Sequence, residues 1–458
     1  MSMERSPAGG INWLTERALG LTRRYMPAPY LFALILTFLA AILALAITPT
    51  RLPALAGFWY NGIWEILAFT AQMVLMLMCG HTLVDAPPVK RVLDWVSGLP
   101  KSERQAGVLI FLVCWAAALF NWGFCLVVAG VLVREVSKRL PLASKGYLAA
   151  AGYTGFAVWA SGLSSSIALV TATPGSPMNI IDQLAHRTYP LQQTLLTPYN
   201  LVAVAAMGVA MPLLFWRIHL PPSQTVPAAA NAPASATPPS DAAAAPAVAT
   251  ERTPAEKIEQ SPWITALLVL LALDYLYNRI AAGTFSLDLN MMIFLLLVIG
   301  WILHGTPIRY MRAFHEAGRS AAPLLLAYPL YGGILGLIRD TGLADWFAHL
   351  FVSFSSAHTL PFWSFISSNV ITLFVPSGGG HWAVQGPVMV KAALQLNASL
   401  PKTAMAVAFG EQVANLVQPF WALPIVSIGG VNVREMMGYC LLALGIAFPI
   451  FAIALLLF

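Results

Sequence analysis

The chain has 458 residues, of which 58% are hydrophobic and only 10% charged. A soluble globular domain carries roughly 25% charged residues, so this composition excludes that class and indicates an all-α polytopic membrane protein. The net charge of +6 comes from basic residues dispersed over loops beside apolar runs, which is a topology signal and not a nucleic-acid footprint.

In chain order, residues 1–26 form a basic N-terminal segment whose stretch "INWLTERALGLTRRYMP" (11–27) suits either an interfacial helix or a cytoplasmic tail. The first apolar run, "YLFALILTFLAAILALAIT" at 30–48, is too long for a signal-peptide core and reads as a retained span. Spans are expected at 27–48, 60–83 and 198–216, with a re-entrant hairpin at 106–133 and an interrupted helix at 147–180. The Ala/Pro-rich stretch 221–260 lacks apolar periodicity and reads as a disordered cytoplasmic linker, residues 219–261, between two transmembrane halves, 27–218 and 262–458. Beyond it, spans are expected at 263–280, 288–304, 320–338 and 436–458, with a second hairpin at 360–390 and a second interrupted helix at 403–428. That makes about nine full spans plus two hairpins. The four cysteines lie in apolar runs without CxxC spacing and read as buried and free.

The halves correspond at an offset near 256: "RVLDWVS" (91–97) with "GLADWFAHLFVS" (342–353), and "FNWGFCLVVAG" (120–130) with "VPSGGGHWAVQ" (375–385). Paired interruptions in two halves point to a transporter built from repeats. With the N-terminus cytoplasmic, 19 of the 25 Lys and Arg fall inside, as the positive-inside bias requires. The extra span at 263–280 then runs the second repeat opposite to the first, so the repeats are inverted.

Interrupted backbone inside a bilayer must face protein or a water-filled cavity, and helix restarts attract anions. Candidate carboxylate-binding groups are Asn121 and Gly123 in the first hairpin and Ser164, Ser165, Ser166 and Thr171 in the first broken helix. The second half adds Ser377, Gly378, Gly379, Gly380, His381 and Gln385 in its hairpin, with Asn415 and Gln418 in its broken helix. Small and hydroxylated residues also serve close helix packing, but two prolines around three glycines make a poor packing motif. Trp122, Trp159, Trp382, Phe420 and Trp421 crowd the same stretches and suit either an apolar subsite or lipid contact. Glu411 and His381 are the ionisable residues at the interruptions and the candidates for ion coupling; His381 serves equally as a proton carrier or a neutral donor.

The motifs "FNWGFCLVVAGVLVREV", "TATPGSPM", "VPSGGGHWAVQGP", "GEQVANLVQPFWALP" and "VREMMGYC" resemble the short-chain fatty acid transporter family from about residue 10 to the C-terminus, the linker apart. The resemblance implies uptake of butyrate- or acetoacetate-like carboxylates across a bacterial inner membrane. A more distant likeness to the ion-transporter superfamily implies elevator-like motion of hairpins and broken helices against a scaffold, H+ or Na+ as partner with H+ favoured, and a homodimer. One departure is Val413, where the family commonly has a tryptophan after "GEQ"; a wider pocket would follow if that ring lines the site. The nearest alternative is a carrier of another small organic anion, a dicarboxylate or an aminoacyl compound; dianions are disfavoured because a second carboxylate wants a fixed cation and no Arg or Lys lies at the interruptions. A membrane-embedded enzyme is disfavoured because HExxH, GxSxG and paired intramembrane Asp are absent. No cofactor or metal site is expected.

Overall fold

A computed structural model describes residues 29–218 and 253–458, apart from Ser320, Phe374 and Pro419. The stretch 11–27 and the linker up to residue 252 lie outside the described residues. Every regular element among the described residues is helical. The first half comprises α1 (Pro29–Ile47), α2 (Leu52–Glu65), α3 (Leu67–Asp85), α4 (Pro87–Ser97), α5 (Glu103–Phe120), α6 (Trp122–Arg139), α7 (Lys145–Phe156), α8 (Ser166–Ala172), α9 (Ile180–Ala185) and α10 (Pro198–Arg217). The second comprises α11 (Pro254–Glu259), α12 (Pro262–Ala281), α13 (Leu289–His304), α14 (Pro307–Gly318), α15 (Ala322–Asp340), α16 (Leu343–Phe354), α17 (Leu360–Ile371), α18 (Gly378–Leu396), α19 (Leu400–Ala414), α20 (Leu423–Gly429) and α21 (Val433–Leu457).

Among the described residues, six helical stretches are long and apolar enough to cross a bilayer. The four cysteines are free and buried. Part of the expected linker is corrected: Pro254–Glu259 is a helix, because Thr253 and Glu256 form a capping box that satisfies its first N–H groups.

The same packing scheme occurs in both halves. Helix α5 lies along α7 as α17 lies along α19, while α3 and α4 pack on α6 as α15 and α16 pack on α18. Matching ion pairs tie the shorter helices down: Arg139 to Asp94, and Lys391 Nζ to Asp345 at 2.8 Å. Helices α2 and α15 cross at close range because glycine lines the contact. A Cβ added to Gly62 would stand 2.3 Å from the Gly332 carbonyl oxygen, and one added to Gly332 would stand 2.4 Å from the Gly62 carbonyl oxygen. This is the small-residue packing that membrane helices use where the hydrophobic effect between them is lost.

The breaks lie where sequence places them. Between α7 and α8 the chain makes a short 3-10 turn, Trp159–Ser161, and Gly162 rests directly on the backbone of Leu119. Between α19 and α20 a second 3-10 turn, Asn415–Val417, precedes Pro424 at the start of the next helix. The second hairpin corrects one reading. The interruption does not extend through "GGGHWAVQGP": α18 begins at Gly378 and carries Pro387 inside it. None of the three glycines has a positive φ. They are needed for space, since added Cβ atoms would meet Ser166 and Trp159, Phe69 and Tyr328, and Tyr331 in turn.

Candidate substrate site

The tip of the second hairpin and the two breaks converge. Gly378 sits against Ser166 Oγ and the Trp159 ring, and Trp159 Nε1 donates to Asn415 Oδ1 at 3.1 Å, joining positions 256 residues apart. Gln412 completes the junction: its Oε1 accepts from Ala160 N at 3.0 Å and its Nε2 donates to Ser161 Oγ at 3.0 Å. Tyr153 Oη reaches the carbonyls of Asn415 and Gln418 at 2.9 and 2.8 Å, holding the second break from below.

Within this junction several polar groups lack partners. Ser377 is the N-cap of α18, yet its hydroxyl donates to Tyr328 Oη at 2.8 Å and gives the first turn no side-chain bond. The N–H groups of Gly378–Gly380 are the orphan donors of a 19-residue helix, at the positive end of its dipole. Asn415 Nδ2 and both carboxyl oxygens of Glu411 are buried without hydrogen-bond partners among the described residues. Glu411 and Asn415 are one helical turn apart, at the end of α19. Buried polar groups without partners are costly unless something supplies the missing bonds.

A cavity of about 430 Å³ opens beside the tip, walled by Tyr328, Tyr331, Pro376, Ser377, Phe420 and Trp421. Trp421 closes one side; its Nε1 donates to the Pro376 carbonyl at 2.6 Å, and Trp122 stacks edge-on behind it at 5.2 Å. The lining is almost wholly apolar, with Ser377 and the phenols of Tyr30, Tyr328 and Tyr331 as its polar edge.

The remaining predicted residues divide by location. Asn121 caps α6 by accepting from Phe124 N at 2.8 Å, and Gly123 packs on Leu77. Ser164 Oγ accepts from Trp122 N at 2.9 Å, clamping the first hairpin tip to the first break. Ser165 caps α8, Thr171 bonds back to the Ala168 carbonyl, and Gln418 Oε1 accepts from Phe420 N. Trp382 turns away from the cavity, donating to the Met178 carbonyl at 2.9 Å. His381 is fully enclosed by its own hairpin: Nε2 is 2.5 Å from Gln385 Oε1 and 3.2 Å from Ser368 Oγ, and Nδ1 is 3.2 Å from Thr372 Oγ1. Both hydroxyl protons are committed to carbonyls, Ser368 to Val407 and Thr372 to Ser368. The ring therefore ties the two hairpin arms together and is not among the cavity-lining residues. Sequence reasoning missed Tyr328 and Tyr331; the signal was "YPLYGG", two phenols three apart beside paired glycines in an apolar run.

Two solved structures share this arrangement of helices. The YdaH transporter of Alcanivorax borkumensis aligns with a TM-score of 0.54 at 14% identity, covering 93% of this chain and 98% of that one. MtrF of Neisseria gonorrhoeae, described as illuminating a class of antimetabolite efflux pumps, aligns with a TM-score of 0.54 at 16% identity, covering 96% and 97%. The fold is thus the one those two proteins adopt. The family profile described as "Short chain fatty acid transporter" matches residues 11–458, and the chain belongs to that family. Two relatives named for short-chain fatty acid transport agree: one from Escherichia coli (strain K12) is 36% identical over 95% of this chain and 97% of its own length. The other, from Haemophilus influenzae (strain ATCC 51907 / DSM 11121 / KW20 / Rd), is 34% identical over 94% and 96%.

Proposed function

We propose that the chain is a secondary carrier that takes up short-chain monocarboxylates by alternating access. The observation that carries this reading is that the unengaged donors, the Gly378–Gly380 N–H groups and Asn415 Nδ2, belong to the same hairpin tip and break that supply Pro376, Ser377, Phe420 and Trp421 to the wall of an apolar cavity. A carboxylate takes the donors and a short acyl chain takes the cavity, gaining roughly 0.8 kcal/mol per buried methylene. Ser166 Oγ, beside Gly378 and without a hydrogen bond among the described residues, is the nearest hydroxyl for the same anion. Ser164, Ser165, Thr171, Asn121, Gly123 and Gln418 shape the junction, and His381 with Gln385 fixes the hairpin.

Coupling resides at Glu411. A bare buried carboxylate next to a second carboxylate is strongly disfavoured, so the substrate enters together with a proton or Na+ on Glu411, with H+ favoured. The matched packing of the two halves supports inverted repeats with two re-entrant hairpins, which move as an elevator-like unit past α2 and α15. The cellular setting in this reading is the bacterial inner membrane with the N-terminus cytoplasmic, and the assembly is a homodimer. Uptake of radiolabelled butyrate into proteoliposomes under an imposed ΔpH or Na+ gradient is the test. Saturable, gradient-driven uptake is expected; its absence under both gradients refutes the carrier for this substrate class.

A further inference from the structure

Helix α12 is the member without a counterpart in the first half, and it is poorly covered. Only 11% of its most apolar window is buried, and it packs mainly on α13 with a lighter contact to α14. Between α12 and α13 lies a groove of about 490 Å³ whose walls include Leu268, Leu271 and Trp301, a size within the roughly 300–1,000 Å³ of ligand-holding clefts. Leu268 lies eleven residues before Arg279, or about 16 Å along a helix rising 1.5 Å per residue. The groove therefore runs along the axis of α12 from an apolar floor to a charged mouth.

The mouth holds both signs. Arg279 Nε is buried with no hydrogen-bond partner, and Arg279 joins no ion pair among the described residues. Asp288 lines the same groove; its Oδ1 caps α13 by accepting from Met291 N at 2.9 Å, which leaves Oδ2 unengaged. Asn290 adds an amide whose Oδ1 is already taken by Gln72 Nε2 at 2.6 Å. An arginine at the end of a span seeks a phosphate, and a carboxylate beside it repels a purely anionic headgroup while attracting an ammonium.

We propose that this groove is a binding site for one phospholipid with a zwitterionic phosphoethanolamine headgroup. The phosphate bonds to Arg279, the ammonium pairs with Asp288 Oδ2, and one acyl chain lies along Leu268, Leu271 and Trp301. The site is remote in sequence from the hairpins and breaks and does not depend on the cargo assigned above.

Native mass spectrometry of the full chain, released from nanodiscs containing equal phosphatidylethanolamine and phosphatidylglycerol, tests it. The wild type retains one phosphatidylethanolamine in preference to phosphatidylglycerol. Arg279→Gln lowers the retained fraction about tenfold, since a hydrogen bond to a charged group is worth on the order of a decade in binding. Asp288→Asn keeps the helix cap, for which Asn and Asp are equivalent, but loses the preference for phosphatidylethanolamine; this variant keeps the test decisive if Arg279→Gln does not fold. Retention of neither lipid, equal retention of both by the wild type, or unchanged selectivity in Asp288→Asn overturns the proposal. A second copy of the chain filling the groove, seen as a Leu271→Trp variant that loses its dimer while its lipid content stays unchanged, overturns it as well.

Discussion

Asn415 makes one bond and withholds another, so its two roles separate experimentally. Its Oδ1 accepts the Trp159 indole N–H at 3.1 Å, while its Nδ2 is buried and unpartnered. Asn415→Leu, close in volume, removes both. In the wild-type background it strands the buried Trp159 N–H, which costs about 1–3 kcal/mol of stability. In a Trp159→Phe background there is no N–H to strand, and that stability loss disappears. The loss of the Nδ2 donor to a carboxylate persists in both backgrounds. A hydrogen bond to a charged group contributes roughly 1.5–3 kcal/mol, so KM for butyrate rises roughly ten- to hundredfold. Proteoliposome uptake gives KM in each background, and thermal melting in detergent gives stability. If KM changes less than twofold in both backgrounds, Nδ2 does not meet the substrate. If the KM effect vanishes with Trp159→Phe, the asparagine acts only by placing the indole.

Glu411→Gln, which keeps the shape but removes the ionisable group, abolishes gradient-driven accumulation while leaving butyrate counterflow intact; accumulation at wild-type levels removes Glu411 from coupling. Trp421→Ala opens the cavity wall and shifts preference toward longer chains, by about fourfold in KM for each added methylene at about 0.8 kcal/mol; an unchanged ranking of butyrate, valerate and hexanoate counts against this wall as the acyl subsite. Gly332→Ala places a Cβ 2.4 Å from the Gly62 carbonyl oxygen, which backbone cannot relieve cheaply, so a loss of about 1–3 kcal/mol is expected in thermal melting, and an unaltered melting temperature contradicts the close crossing of α2 and α15.

Much of the architecture was legible in the chain. Unbroken apolar runs have only one way to satisfy their backbone in lipid, which is to form helices; the long spans and the two breaks therefore appear close to the expected positions. In the structure Gly162 and Pro424 stand at the breaks, one without a side chain and the other without a donor. The offset of 256 between halves recurs as a physical contact between Trp159 and Asn415.

What no local pattern contained was which polar residues are already engaged. Ser164, Ser165 and Ser166 are adjacent and chemically identical, yet the first clamps a hairpin, the second caps a helix and only the third is left unengaged beside Gly378. His381 and Glu411 looked alike as ionisable groups at interruptions. Ser368 on α17 and Thr372 at its C-terminal end enclose the histidine, whereas nothing among the described residues bonds the glutamate side chain. Hydrogen-bond satisfaction depends on neighbours supplied by distant parts of the chain. Sequence by itself therefore determined the membrane class, the helices and their breaks, and only the tertiary structure decided which of the broken segments' polar groups remain available to a substrate.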